Sequence, residues 1–250
     1  MSALRLERDG AVLRVTLARP ERRNAFDAAL IADLTDAFAD VGDARAVVLA
    51  GDGPSFCAGA DVEWQRSSIE LTYEENVEDA ARLLRMLETM DGCPAPVVAR
   101  VHGYALGGGS GLVACADAAI AAPDAVFGFS EVKLGIIPAV ISPFVLAKIG
   151  SSARRLFLTG ERFGADAALR FRLVDEVAED PDAAVARIVA ELLTSGPKAA
   201  RAAKRLVREA PPRDELPHVA ARMRTSGEGQ EGLRAFLEKR AAAWRSEGSS

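Results

Sequence analysis

The sequence predicts an α/β protein, on three observations. Short apolar runs of strand length alternate with stretches of helical periodicity. The strand signals stop near Asp182, and only helical patterns follow. Apolar residues make up 49% of the 250-residue chain, ample for a sizeable core. In chain order, Val12–Leu17 and Ala46–Ala50 read as strands. Phe26, Leu30, Leu34, Phe38 and Val41 recur at helical spacing, with Asp27 placed to cap that helix. Val77, Ala80, Leu84 and Leu87 form a second amphipathic stripe. Pro96–Val101 and Ala118–Ala121 read as further strands, and Ala184–Leu193, Pro197–Val207 and Glu231–Trp244 as helices. Pro211-Pro212 marks a break between two of those helices. The expected organisation is a core over residues 1–195 and a helical C-terminal region over 196–250.

Charge and cysteine usage narrow the functional classes. Lys plus Arg number 31 and Asp plus Glu 36, a net charge of -5. That balance argues against a nucleic-acid partner, which requires a basic face. Cys57, Cys93 and Cys115 are odd in number and form no CxxC pair, which reads as reduced thiols in a cytoplasmic protein. The opening MSALRLERDG has no apolar h-region, so no signal peptide is expected. No apolar run approaches a membrane span.

Three segments carry candidate chemistry. In Ser55–Asp61 small residues follow a strand and a turn, so a ligand can approach backbone N–H donors. Taken alone, the pattern is that of a strand-to-helix connection with Asp61 as cap. In Val101–Leu112 a strand runs into Gly107-Gly108-Gly109 and a small-residue helix, which brings free N–H groups and a helix dipole to one place. No Gly-Lys-Ser/Thr follows, so it is not a Walker loop. Close helix packing explains the same glycines. In Phe127–Pro138, Glu131 is flanked by Phe129, Leu134 and Ile136. Apolar surroundings raise a carboxyl pKa and suit it to proton transfer. Composition alone favours a surface glutamate paired with Lys133.

Together these segments resemble the enoyl-CoA hydratase/isomerase (crotonase) superfamily. The matching motifs are Ala58-Gly59-Ala60-Asp61, Ala105 to Gly109, Phe127 to Glu131 and Leu134 to Pro138. Further matches are Arg23-Asn24-Ala25-Phe26, Leu158 to Phe163, Leu173-Val174-Asp175 and Phe236 to Arg240, so the resemblance spans almost the whole chain. It implies a crotonase-like spiral of ββα units followed by a helical trimerisation region, in trimers or hexamers built as dimers of trimers. It implies an oxyanion hole from the N–H groups of Ala60 and Gly108, and Glu131 as the catalytic carboxylate. Coenzyme A, as part of an acyl-CoA substrate, would contact Arg22, Ala25, Ala58, Asp61 and Val62. Phe236 and Lys239 would add contacts near the adenine, from a neighbouring subunit. No metal or redox cofactor is implied.

One departure bears on mechanism. Two-glutamate hydratases carry a second catalytic glutamate where this chain has Gly111, so Glu131 is expected to act alone. A glutamate introduced at 111 should add the missing acid if it fits. Gly111 together with Ser130–Pro143 is similar to methylglutaconyl-CoA and carboxygeranoyl-CoA hydratases of bacteria. The resemblance implies hydration of a 2-enoyl-CoA, with a Δ3,Δ2-enoyl-CoA isomerase as the alternative. A catalytically weak RNA-binding or scaffolding member is the alternative from another class.

Other residues have plainer readings. His102 reads as a hydrogen-bonded loop residue, and His218 as a surface residue. Cys57 reads as a small buried residue, and Asp117 as structural. Trp64 either lines the acyl pocket or packs a helix. Arg201, Lys204, Arg205 and Arg208 form a basic helix face, of the kind usually solvated.

Overall fold

The structure, a computed structural model, describes residues 3–248. The chain opens with strands β1 (Leu4–Asp9) and β2 (Val12–Leu17), an antiparallel pair, and helix α1 (Ala28–Ala39). Asp27 caps α1 by accepting the Leu30 N–H at 2.9 Å. Strand β3 (Ala46–Gly51) joins β2 in parallel. Two helices follow, α2 (Val62–Ser67) and α3 (Tyr73–Asp91). Helix α3 starts at a capping box in which Thr72 and Glu75 exchange backbone-to-side-chain hydrogen bonds.

The ββα rhythm then repeats. Strands β4 (Val97–Val101) and β5 (Tyr104–Leu106) lead into α4 (Gly108–Cys115). Strands β6 (Ala118–Ala121) and β7 (Val126–Gly128) lead into a 3-10 turn, Ser130–Leu134, and α5 (Ser142–Ile149). Next come α6 (Ala153–Thr159), β8 (Arg162–Gly164), α7 (Ala165–Phe171), β9 (Glu176–Val177) and α8 (Pro181–Thr194). In the pairs β4-β5 and β6-β7 the first strand enters a six-stranded sheet of order β1-β2-β3-β4-β6-β9, which also holds β1, β2, β3 and β9. The second strand enters a smaller sheet of order β5-β7-β8. Winding from one sheet to the other is what produces the spiral.

The parallel strands β3, β4 and β6 of the large sheet are covered on both faces, whereas the antiparallel edge strand β1 is largely exposed. Val47, Leu49, Val97, Ala99 and Val101 face the main core, with Phe26, Phe38, Met86 and Phe127. Val12, Val48, Val98 and Ile120 face the other way, under Ala184 and Val185 of α8. Three helices complete the chain: α9 (Pro197–Glu209), α10 (Leu216–Thr225) and α11 (Gly227–Leu237). No helix among the described residues is long and apolar enough to cross a membrane.

Several sequence expectations need correction. The helix expected over Glu231–Trp244 stops at Leu237, because Lys239 turns into the left-handed region at φ 56°. The chain resumes as a 3-10 turn at Ala243. On α3 the buried residues are Met86, Leu87 and Met90, whereas Val77 and Ala80 are exposed. The basic face of α9 is not simply solvated. Arg201 donates to the carbonyls of Gly42 and Ala44. Lys204, 8% exposed, pairs with Asp117 at 2.7 Å and donates to Ala95 O. Arg208 reaches Asp91. These cations fasten a helix that buries none of its own residues.

Candidate active site

The first wall of the site is built around Asn24. This residue is fully buried, holds φ 55°, and donates its amide to the carbonyls of Asp52 and Ser55 while accepting the Arg19 N–H. It thereby ties residues 19–26 to the loop after β3. Beyond it, Ala58 donates to Arg23 O, Phe26 to Gly59 O, and Asp61 to Phe26 O. Arg22, Ala25, Ala58, Asp61 and Val62 are therefore gathered into two paired backbone segments.

The glycine turn lies against the same loop. Cys57 donates to Tyr104 O and Leu106 to Cys57 O, a parallel bridge between Cys57 and Ala105. Three residues further on each segment stand Ala60 and Gly108. Gly108 is the first residue of α4, so its N–H has no acceptor inside the helix. Among the described residues, neither that N–H nor the one of Ala60 has a hydrogen-bond partner. Gly107 makes the turn at φ 51° and ψ -119°, a conformation that favours glycine.

Glu131 enters from the 3-10 turn that follows β7. Strand pairing of β7 with β5 sets Gly128 opposite Leu106, and Gly107 donates to Gly128 O. A Cβ on Gly107 would lie 3.1 Å from Glu131 Oε1. Glu131 Oε2 is buried with no hydrogen-bond partner. Burial pushes the Glu131 carboxyl up from its ordinary value, against a smaller opposing pull from its own backbone N–H. No ion pair with Lys133 forms among the described residues.

These groups face one cleft of about 460 Å³. Ala58, Gly59, Ala60, Gly107, Gly108 and Glu131 line it. Its other walls are mostly apolar, with Trp64, Leu83, Leu134, Ile136, Ile137 and Ile141. Paired amide donors and a desolvated carboxylate in such a cleft can stabilise charge on a carbonyl oxygen while moving a proton beside it.

The comparisons agree with this arrangement. A family model described as enoyl-CoA hydratase/isomerase matches residues 7–247. The chain belongs to the enoyl-CoA hydratase/isomerase family. A cyclohexa-1,5-dienecarbonyl-CoA hydratase from Thauera aromatica is 33% identical, over 96% of this chain and 95% of that protein. A crystal structure of an enoyl-CoA hydratase from Shewanella pealeana superposes with a TM-score of 0.92 at 38% identity, covering 97% of this chain and 96% of that one. An enoyl-CoA hydratase from Mycobacterium smegmatis gives a TM-score of 0.90 at 32% identity, covering 97% and 98%. The fold is the crotonase fold of this family.

Within that family frame, the expected coenzyme residues divide. Asp61 is buried and committed: it caps α2 through the Glu63 N–H and accepts from Arg22 at 2.9 Å. Burial pushes its carboxyl up, but the bonds from Arg22 and Glu63 and the Arg22 charge outweigh this and hold it below the ordinary value. Val62 is exposed, beside the cleft mouth residues in sequence. Phe236 and Lys239 do not line the cleft; both are exposed on the C-terminal segment.

Gly111 is closed to any side chain. A Cβ there would lie 2.7 Å from Ile141 Cγ2 and 3.6 Å from Leu87 Cδ2. A glutamate at 111 therefore does not fit without displacing Ile141, whose β-branched stem is stiff. His102 is held between Arg100 Nη1 and Gly53 O, both at 2.8 Å, as a loop tie. Cys57 is buried and its thiol is pushed up to about 12 by burial, so it is chemically inert at neutral pH. Trp64 lines the cleft and donates to Asp79 at 3.3 Å. Asp79 and Arg162 also line the cleft. Asp79 stands in none of the matched motifs, and Arg162 falls inside the Leu158–Phe163 match without a role assigned to it, so their place at the cleft is revealed by the tertiary structure.

Proposed function

We propose that this chain is an enoyl-CoA hydratase, adding water across the 2,3 double bond of an enoyl-CoA thioester. The observation that carries the reading is the pairing, in one cleft, of a buried carboxylate oxygen and two backbone N–H groups that have no hydrogen-bond partner among the described residues. In this reading the thioester oxygen accepts from Ala60 and Gly108. Each donor contributes about 3 kcal/mol as charge develops on that oxygen. Glu131 takes a proton from water as the water oxygen bonds to the β-carbon. The resulting carboxylic acid returns a proton to the α-carbon, which restores Glu131 and balances the addition.

Coenzyme A enters as part of the substrate, along the paired segments that carry Arg22, Ala25, Ala58, Asp61 and Val62. Phe236 and Lys239 lie outside the cleft of their own chain, which fits contacts made from a neighbouring subunit. Phe236 and Leu237 are 79% and 77% exposed, a large apolar pair that supports a homotrimer or a dimer of trimers. Three buried, unbridged cysteines support a cytoplasmic setting. Gly111 and the run Ser130–Pro143 support a branched or carboxylated acyl group such as that of 3-methylglutaconyl-CoA.

One observation favours a second reading. With Gly111 closed by Ile141 and Asp79 paired to Arg82, Glu131 is the cleft carboxylate without a paired cation among the described residues. A single base suffices for a Δ3,Δ2-enoyl-CoA isomerase, which moves one proton between the γ- and α-carbons. The test is to supply trans-2-enoyl-CoA and 3-enoyl-CoA separately and identify products by mass. Hydration of the 2-enoyl thioester, a gain of one water, is expected. Conversion of the 3-enoyl thioester alone, with no gain of water from either, would replace the hydratase reading by the isomerase one.

A further inference from the structure

Three charged side chains line the cleft: Asp79, Glu131 and Arg162. Asp79 is engaged by Arg82 and Trp64. Glu131 has its proposed place in the chemistry. Arg162 is left over. Among the described residues its guanidinium makes no ion pair and no hydrogen bond, although Glu161 beside it is paired with Arg155.

The fold aims this cation with some care. Arg162 opens β8, opposite Gly128 of β7, which is in turn opposite Leu106 of β5. These three residues form one row across the small sheet. Its stem lies on the Gly128 backbone, where a Cβ would come within 3.3 Å of Arg162 Cγ. Its head sits 5.6 Å from the centroid of the Tyr104 ring. The aromatic face and the glycine floor hold the planar fork while leaving its N–H donors for a ligand. Glu131 follows Gly128 by three residues on the continuing chain, and Ser130 between them also lines the cleft. Arg162 therefore belongs to the wall that carries Glu131. The loop Ala58–Ala60, with Arg22 and Asp61, is the one read as holding coenzyme A. Arg23 also approaches Tyr104, at 5.8 Å, but does not line the cleft.

We propose that Arg162 is a specificity-determining residue that binds a carboxylate carried by the acyl chain, selecting dicarboxylic acyl thioesters over plain ones. This rests on the acyl-thioester reading above and names the substrate class within it. A carboxylate matches the guanidinium fork in charge and in planar, two-point geometry. Arg162 is exposed at the cleft, so its fork is open to such a ligand.

The test uses binding, so that it does not depend on turnover. Dissociation constants of glutaryl-CoA and pentanoyl-CoA, equal in chain length and different only at the far end, are measured on the full-length protein and on Arg162→Met. Methionine keeps a flexible stem over Gly128 and removes the charge. Wild type should favour glutaryl-CoA by roughly 10-fold or more, and Arg162→Met should lose that preference while holding pentanoyl-CoA within about 2-fold. Arg162→Lys should retain part of it. No preference in wild type, or an unchanged preference in Arg162→Met, would overturn the proposal. Equal weakening of both thioesters would also overturn it, and would assign Arg162 to the coenzyme A phosphates. A protein that shows the glutaryl preference but hydrates neither glutaconyl-CoA nor pent-2-enoyl-CoA would leave Arg162 in place and remove the hydratase reading instead.

Discussion

Ile141 fills the space that a side chain on Gly111 would need. Ile141 is 3% exposed, and its Cγ2 stands 2.7 Å from the position of a Cβ on Gly111. The two residues come from the loop before α5 and from the fourth position of α4, and they pack as a complementary pair. Gly111→Ala is expected to cost about 1–3 kcal/mol through overpacking, even though alanine is the better helix former. Ile141→Ala alone should cost about 2–5 kcal/mol by opening a cavity. The double variant should lose less than the sum by roughly 1 kcal/mol or more, because the new methyl enters the space vacated. Urea unfolding of the three variants measures this coupling; strict additivity would mean that the two residues do not share the space. A second acid at 111 needs the same room, so Gly111→Glu alone should misfold or lose activity rather than gain it.

Gly107 stands between the amide donors and the carboxylate. Its φ of 51° is strained for alanine, and the added Cβ would sit 3.1 Å from Glu131 Oε1. Gly107→Ala should lower stability by about 1 kcal/mol. Its turnover should fall further than that change explains, by at least about 10-fold, because the methyl displaces the proton acceptor. Chemical denaturation and steady-state kinetics on the same preparation separate the two effects. A stable variant with wild-type turnover would show that the Gly107 surface is not part of the reacting space.

Much of the fold is legible in the sequence where elements are long or apolar throughout. Val12–Leu17 and Ala118–Ala121 are read with their observed limits, and Asp27 as the cap of α1. The strands of the small sheet are not, because three residues such as Tyr104–Leu106 cannot display a period of two. The end of α11 escapes for a different reason. Lys239 adopts φ 56° without any glycine or proline to announce it. In the site, Ala60, Gly108 and Glu131 are singled out by the agreement of several motifs with one family, because each segment taken alone also reads as a connection, a packing turn or a surface glutamate. The cleft position of Arg162, which lies within the Leu158–Phe163 match, and of Asp79 is not legible in the sequence, because they meet the cleft only through strand register and the facing of α3. The closure of Gly111 by Ile141 depends on contact between segments some thirty residues apart and has no local signature.

Burial of Glu131 also sets a pH dependence of stability. The folded state holds this carboxyl above its ordinary value, so between that value and the raised one the native protein binds more protons than the unfolded chain. Stability from this group is therefore present at low pH and declines as pH rises through that window. Glu131→Gln removes the contribution. The melting temperature of the variant relative to wild type should be higher at about pH 8 than at about pH 4. A difference that is flat with pH, or larger at the acidic end, would contradict the raised position of the carboxyl.

The central claim is that Glu131 moves the proton while the backbone of Ala60 and Gly108 holds the thioester oxygen. Glu131→Gln preserves shape and removes the proton acceptor. The decisive measurement is the turnover of a trans-2-enoyl-CoA by this variant, together with the dissociation constant of a saturated acyl-CoA. Turnover should fall by at least about 100-fold with binding unchanged within a few-fold. Hydration at near wild-type turnover by a folded Glu131→Gln protein would contradict the account.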